Sequence, residues 1–144
     1  MAYQAKRKKI YTEDFELTEE DGTVVHTLHV ALDPDSVARK LSDKHVALVK
    51  ALQEVKHVDA QNAPNEALET VGSAVMDILE AVFGIEDAAV IRKFYAGRYM
   101  ELCSEVMPFV TGRVIPEVRR MAQENKKAIA AGYNRKQRRL FGKK

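Results

Sequence analysis

The sequence has a single cysteine, no tryptophan and no apolar run as long as a membrane span. Because Cys103 has no second cysteine to pair with, an internal disulfide is excluded. Charged residues interrupt every segment, so we expect no helix of the roughly 20 apolar residues that cross a bilayer. The opening MAYQAKRKK lacks the apolar stretch of a signal peptide. These absences together predict a cytoplasmic protein.

The motifs of common catalytic and nucleotide-binding sites are also missing. The sequence has no GxxxxGK[ST] phosphate loop, no GxGxxG after a strand, no HExxH and no CxxC. His26 and His29 lie three apart on a predicted strand, so their side chains point to opposite faces and cannot share a metal ion. Cys103 has apolar neighbours on its helix and no histidine nearby in sequence, which favours an inert, buried thiol. We therefore predict a non-catalytic protein without metal or cofactor.

Acidic residues are absent from both ends of the chain. Residues 1–9 and 132–144 hold 10 of the 23 basic residues and none of the 21 acidic ones, so residues 10–131 carry a formal charge of −8. A nucleic-acid-binding domain usually carries its positive charge on a folded face, whereas this central part would repel phosphate. We interpret residues 1–9 as a basic flexible N-terminus, residues 10–131 as a single domain and residues 132–144 as a basic C-terminal tail.

Residues 10–32 have the pattern of an antiparallel β-hairpin. Two segments rich in β-branched and aromatic residues flank Asp21-Gly22, which is a strong turn signal. A lone hairpin is marginal in water, so its more apolar face should pack against a helix.

Apolar residues at helical spacing predict a mainly α fold after the hairpin. The four helices are expected at about residues 34–56, 66–83, 86–96 and 98–131. The last one contains Pro108 and Pro116, each of which lacks an N–H and costs about 3 kcal/mol in a straight helix. An apolar stripe nevertheless continues through both prolines, so we predict one proline-kinked helix rather than two unrelated ones. The fold class is thus α+β, with a small N-terminal hairpin and a four-helix arrangement.

Aromatic residues cluster where the third and fourth predicted helices meet. The cluster comprises Phe94, Tyr95, Tyr99 and Phe109. Such clusters more often belong to a core. The alternative is a groove for an apolar helix of another chain, because tyrosine and phenylalanine are favoured anchors at protein interfaces. These four residues are our candidate partner-binding groove.

The layout of residues 66–121 resembles a known family. An apolar helix ends in Phe83-Gly84, a helix with an acidic start follows at Glu86-Asp87, and this closes in an aromatic and a glycine, Tyr95 and Gly97. The segment YMELCSEVMPFV then leads to Pro116-Glu117. In this order of features, and with a strand pair and a helix before it, the chain resembles the tail assembly chaperones of long-tailed, siphovirus-like bacteriophages and prophages over roughly residues 10–125.

That resemblance implies a helical protein that binds the long, aggregation-prone tape measure protein and helps recruit tail tube subunits during tail morphogenesis. Such a protein makes and breaks no bond, and it would act in the cytoplasm of the bacterial host. The physical requirements are apolar grooves for a helical partner and a net-charged surface that keeps the assembly in solution.

Three interpretations of the basic tail stay open. It is a solvated end without a partner, it contacts an acidic protein surface such as the body of another copy in a homo-oligomer, or it binds nucleic acid. For contact with an acidic partner or with nucleic acid, the candidate residues are Arg135, Lys136, Arg138 and Arg139. We rank nucleic acid last because the acidic body repels phosphate. The alternative function is a phage structural or nucleic-acid-associated accessory protein that uses its basic ends.

Overall fold

The computed structural model describes residues 2–7, 9–57 and 65–141, with residues 56, 57, 65, 66 and 133–141 as backbone only. A two-stranded antiparallel sheet comes first, with strands β1 (Tyr11–Thr18) and β2 (Val24–Leu32). At its turn the Asp21 carboxylate accepts a hydrogen bond from the Thr23 backbone N–H at 2.9 Å, and Gly22 takes a φ of 90°. That conformation is one that glycine adopts without strain. The predicted turn is therefore confirmed.

Four helical stretches follow the hairpin, as predicted. Their segments are α1 (Pro34–His57), α2 (Asn65–Phe83), α3 (Ile85–Phe94), α4 (Tyr99–Phe109), a π-helical turn (Val110–Val114) and α5 (Ile115–Phe141). The Asp33 side chain caps α1 by accepting the Asp35 backbone N–H at 3.2 Å. The polar sequence HVDAQNAPN at residues 57–65 predicts a linker, and Asn65 at its end predicts a capping side chain for α2. The linker lies almost wholly outside the described residues, and so does the Asn65 side chain.

The core lies between the hairpin and the helices. Helix α1 packs against α2 and α5, while α2 also contacts β2, α3 and α4. The hairpin's inner face contributes Tyr11, Leu17, Leu28, Val30 and Leu32, all of which are buried. Alternate residues of a strand share one face, which is why this set comes from odd positions in β1 and even positions in β2. The expectation that the hairpin packs on a helix is confirmed.

The long C-terminal helix stays helical through both prolines. The backbone at Phe109, Val110 and Ile115 has ordinary right-handed helical angles. Within the π-helical turn the Ile115 N–H bonds to the Val110 carbonyl, five residues back. This wider turn lies between Pro108 and Pro116. Proline has no backbone N–H and cannot donate the usual hydrogen bond to the carbonyl four residues back, and the wider turn accommodates the two prolines within one helix. The angle of the predicted kink stays a prediction.

The two ends differ from each other. Residues 2–7, 9 and 10 form no helix or strand. At the other end, α5 runs to Phe141, ten residues beyond the helix end predicted at residue 131. Arginine, lysine, glutamine and leucine are good helix formers, so the single Gly132 does not stop the helix. None of the described helices combines the length and hydropathy needed to cross a bilayer.

Candidate functional site

The four residues of the predicted aromatic groove lie in three different places. Phe109 belongs with two other phenylalanines, because its ring centroid is 4.8 Å from that of Phe15 and 6.1 Å from that of Phe83. Phe83 is buried, and the other two are half-buried against the core. Phe109 therefore joins the hairpin to the helices and is a core residue rather than part of a groove.

Phe94 and Tyr95 line a cleft between the hairpin and the start of α4. Their rings meet edge to face with centroids 5.1 Å apart, and the cleft has a volume of about 910 Å³. The charged groups around it are Glu16, Glu19, Glu20, Glu101, Glu105 and Arg98. Burial raises the pKa of Tyr95, and the negative charges of Glu105 and Glu101 raise it further. We call this site the acidic cleft.

Tyr99 forms part of a second, apolar concavity. This recess of about 470 Å³ lies where the start of α2 meets the start of α4, and its apolar lining comes from Leu68, Val71, Tyr99 and Met100. Leu68 is 39% exposed and Met100 is 49% exposed, although Leu68 continues a row of α2 residues that are otherwise buried. We call this site the apolar recess. Its apolar lining suits an apolar side chain of another molecule.

A close contact between two helices fixes the position of Tyr99. A Cβ added at Gly72, in the middle of α2, would lie 2.7 Å from Cδ2 and Cε2 of the Tyr99 ring. Real Cβ atoms essentially never approach so closely, so glycine is the residue that lets the ring lie across α2. Gly72 thereby positions one wall of the apolar recess.

The candidate basic residues lie on the last turns of α5. The backbone of residues 133–141 is helical, and the side chains of Arg135, Lys136, Arg138 and Arg139 lie outside the described part of the chain. The described side chains just before them, from Lys126 to Gly132, are all exposed. The helical backbone thus continues to Phe141, where an irregular tail was expected from residue 132.

One polar cluster was not predicted from the sequence. Glu13 points from β1 towards the π-helical turn, where its Oε1 accepts a hydrogen bond from Arg113 at 2.6 Å and its Oε2 accepts one from the Tyr11 hydroxyl. These two donors lower the pKa of Glu13, the tyrosine contributing most. A glutamate on the inner face of a hairpin is the signal that could have suggested a polar partner on the packed helices.

Among the described side chains, His26, His29 and Cys103 have structural surroundings rather than those of a reactive centre. His29 pairs with Asp14 across the outer face of the hairpin at 2.5 Å, and the His26 ring centroid is 6.5 Å from that of Phe94. Cys103 is half-buried, and burial raises the pKa of its thiol, which disfavours the reactive thiolate. In residues 2–7, 9–57 and 65–141, no group of three histidine, cysteine, aspartate or glutamate side chains is placed to hold a metal ion.

No protein-family model matches the chain, and neither the curated proteins nor the solved structures give a significant match.

Proposed function

We propose that this protein is a tail assembly chaperone of a long-tailed bacteriophage or prophage. In this role it binds helical segments of the tape measure protein and helps to recruit tail tube subunits in the host cytoplasm, without catalysis. The observation that carries the proposal is the apolar recess, in which the exposed Leu68 and Met100 flank the Tyr99 ring.

The shape and chemistry of the recess fit one apolar ridge of a helix. An amphipathic helix binds in a groove through apolar residues spaced three and four apart, and each anchor fills a pocket of about this kind. Methionine and tyrosine suit such a surface, because a methionine side chain adapts its shape and a tyrosine ring offers large apolar area at low entropy cost. The recess is small, so we expect each copy to hold a short stretch of partner and several copies to cover a long one.

The surrounding charge supports a carrier function. The formal charge of −8 over residues 10–131 disfavours aggregation of a complex that has apolar segments at its centre. A carrier also has to release its cargo. Weak, single-pocket contacts with many copies would allow release when tube subunits compete for the same segments.

The test is capture of the tape measure protein of the same phage or prophage, expressed as overlapping fragments. We expect capture by the intact protein and equally by a variant that ends at residue 131, because the apolar recess lies far along the chain from the basic end. Loss of capture on that truncation would contradict a recess-based receptor. Failure of the intact protein to retain any fragment would contradict the function itself.

A second function is favoured by one observation, the helical backbone of α5 that continues through the basic residues 135–139. A basic helix of this kind binds duplex phosphates in nucleic-acid-associated proteins. Six charges neutralising phosphates would give a slope of about −5 for log affinity against log salt concentration. A chaperone should bind duplex DNA without such a slope or not at all, so a salt titration with a DNA fragment separates the two functions.

A further inference from the structure

The last part of α5 is a helix without a partner in the described structure. Its last described contact with the body is at Asn125, whose Nδ2 lies 3.3 Å from the Asp35 carboxylate oxygens. The described side chains beyond it, from Lys126 to Gly132, are all exposed. Residues 126–141, which we call the arm, would extend about 24 Å at 1.5 Å per residue. Short isolated helices are marginal in water, so this one would gain stability from a binding surface.

The arm has a definite chemical character. It contains Lys126, Lys127, Arg135, Lys136, Arg138 and Arg139, and no acidic residue. It also contains Ile129, Tyr133, Leu140 and Phe141. A suitable binding surface would therefore combine negative charge with partly exposed aromatic rings.

The acidic cleft has both properties. Five glutamates and one arginine surround it, and Phe94 and Tyr95 contribute its rings. Arg98 is already engaged with Glu101 at 3.3 Å. Glu16 and Glu105 are exposed and make no ion pair with a described residue. A guanidinium or ammonium group bound there would relieve the repulsion among the carboxylates and could lie against an aromatic face.

The arm cannot reach the acidic cleft of its own chain. Glu105 lies on α4 and Arg135 on α5, and the helix between them is continuous, with helical backbone angles at both joints of the π-helical turn. Thirty residues of helix separate the two positions by about 45 Å along the helix path. A continuous helix does not fold back on itself, so the arm of each copy lies away from the acidic cleft of that copy.

We propose that the arm of one copy docks in the acidic cleft of a second copy. The two surfaces differ, so the contact is head-to-tail and repeats from copy to copy, giving a ring where the rotation closes and an open chain where it does not. Charge steers the association, and salt weakens it, because screening acts over about 8 Å at physiological ionic strength. This inference does not rest on the proposed function, since it uses neither Leu68 nor Met100.

Two variants with reversed charge, called the reversed variants, test the docking. The arm variant R135E/R138E/R139E keeps an intact cleft, and the cleft variant E16K/E105K keeps an intact arm. Both change exposed or terminal positions, and circular dichroism would verify that they fold. The control is E54K/E80K, which makes the same charge change as the cleft variant at exposed positions on α1 and α2 that do not line the cleft.

Sedimentation velocity at about 50 mM and about 500 mM NaCl gives the readout. We expect the intact protein and the control to form species larger than a monomer at low salt and to dissociate at high salt. Each reversed variant alone should associate at least about tenfold more weakly, and mixing the two should restore a complex through the opposite charges that they now carry.

Three results would overturn the proposal: an intact protein that is monomeric at low salt, assembly that neither reversal weakens, or variants that do not restore assembly when mixed. If the arm variant instead loses binding to a duplex DNA fragment while its assembly is unchanged, the arm binds nucleic acid and not a second copy. Capture of tape measure fragments is measured on the same variants. Neither variant changes a residue of the apolar recess. If the variants capture tape measure fragments normally while the intact protein fails to assemble, the docking proposal is wrong and the proposed function is unaffected.

Discussion

The ring of Tyr99 lies directly over Gly72, so close that a methyl group on that glycine would be 2.7 Å from two ring carbons. This contact connects the middle of α2 with the first turn of α4. It also sets one wall of the apolar recess, so a change that is local to α2 should alter both stability and binding.

Replacement of Gly72 by alanine should destabilise the protein. In a helix interior alanine is favoured over glycine by about 1 kcal/mol, but an overpacked contact typically costs 1–3 kcal/mol, so we expect a net loss of roughly 1 kcal/mol. Urea unfolding measures the difference.

Gly132→Ala is the matched control for that change. Gly132 is also helical and has no atom within 4 Å of an added Cβ. This substitution should therefore leave stability unchanged or raise it by up to about 1 kcal/mol, and increase helicity. A Gly72→Ala protein that is as stable as the Gly132→Ala protein would show that Tyr99 does not press on α2.

The bond between Glu13 and Arg113 should make stability depend on pH. Both donors favour the ionised carboxylate, so the pKa of Glu13 in the folded protein is lower than in the unfolded chain. A lowered folded pKa gives stability that is present above the unfolded pKa, about 4.3, and is lost as the pH falls through the folded value. Glu13→Gln should therefore cost about 0.5–1 kcal/mol at neutral pH and progressively less towards pH 3.

The control for that measurement is Glu54→Gln, at an exposed position on α1 where the glutamate makes no ion pair with a described residue. Thermal melts over the pH range would compare both variants with the parent protein. A constant difference between the Glu13→Gln variant and the parent at every pH would contradict the proposed linkage.

Phe109 should behave as a core residue rather than as a binding residue. Its ring packs against both Phe15 and Phe83, so Phe109→Ala would leave a cavity and remove both aromatic contacts. Large-to-small changes of this kind cost about 3–5 kcal/mol when the ring is fully buried, and we expect about 2–3 kcal/mol for this half-buried one.

Phe94→Ala is the comparison, because Phe94 lines the acidic cleft at the edge of the core. It should cost about half as much. Denaturant unfolding of the two variants gives the answer. If the Phe109→Ala variant were as stable as the parent, Phe109 would not be a core residue and would again be a candidate groove residue.

The local features of the fold were predictable because each depends on neighbours in sequence. The Asp21-Gly22 turn, the Asp33 cap and the apolar stripe through Pro108 and Pro116 are all set by spacing and side-chain chemistry over a few residues. The helix end predicted at residue 131 was wrong by ten residues, because the basic composition of residues 132–144 was interpreted as a tail although arginine, lysine, glutamine and leucine are good helix formers.

The candidate site was less predictable because it depends on which faces the helices present to one another. The four aromatic residues of the predicted groove are close in sequence, but the turn at Ala96-Gly97 and the rotation along α4 separate them in space. Phe94 and Tyr95 line the acidic cleft, Tyr99 lines the apolar recess, and Phe109 packs against Phe15. Leu68 continues an apolar row, and only the packing of α4 shows that it is left exposed. The contact of Glu13 with Arg113 spans 100 residues and leaves no trace in local spacing.

The most direct test of the chaperone account is the affinity of a captured tape measure fragment for two matched double variants, measured by isothermal titration calorimetry. One variant, L68E/M100E, puts carboxylates into the apolar recess. The control, V49E/V46E, puts carboxylates on α1 at two positions that are matched in exposure. Val49 is 39% exposed, as is Leu68, and Val46 is 53% exposed, close to the 49% of Met100. We predict that the first variant binds the fragment at least about a hundredfold more weakly, since two buried charges without partners cost several kcal/mol, while the second binds like the parent. Undiminished binding by L68E/M100E, or loss confined to V49E/V46E, would contradict the account.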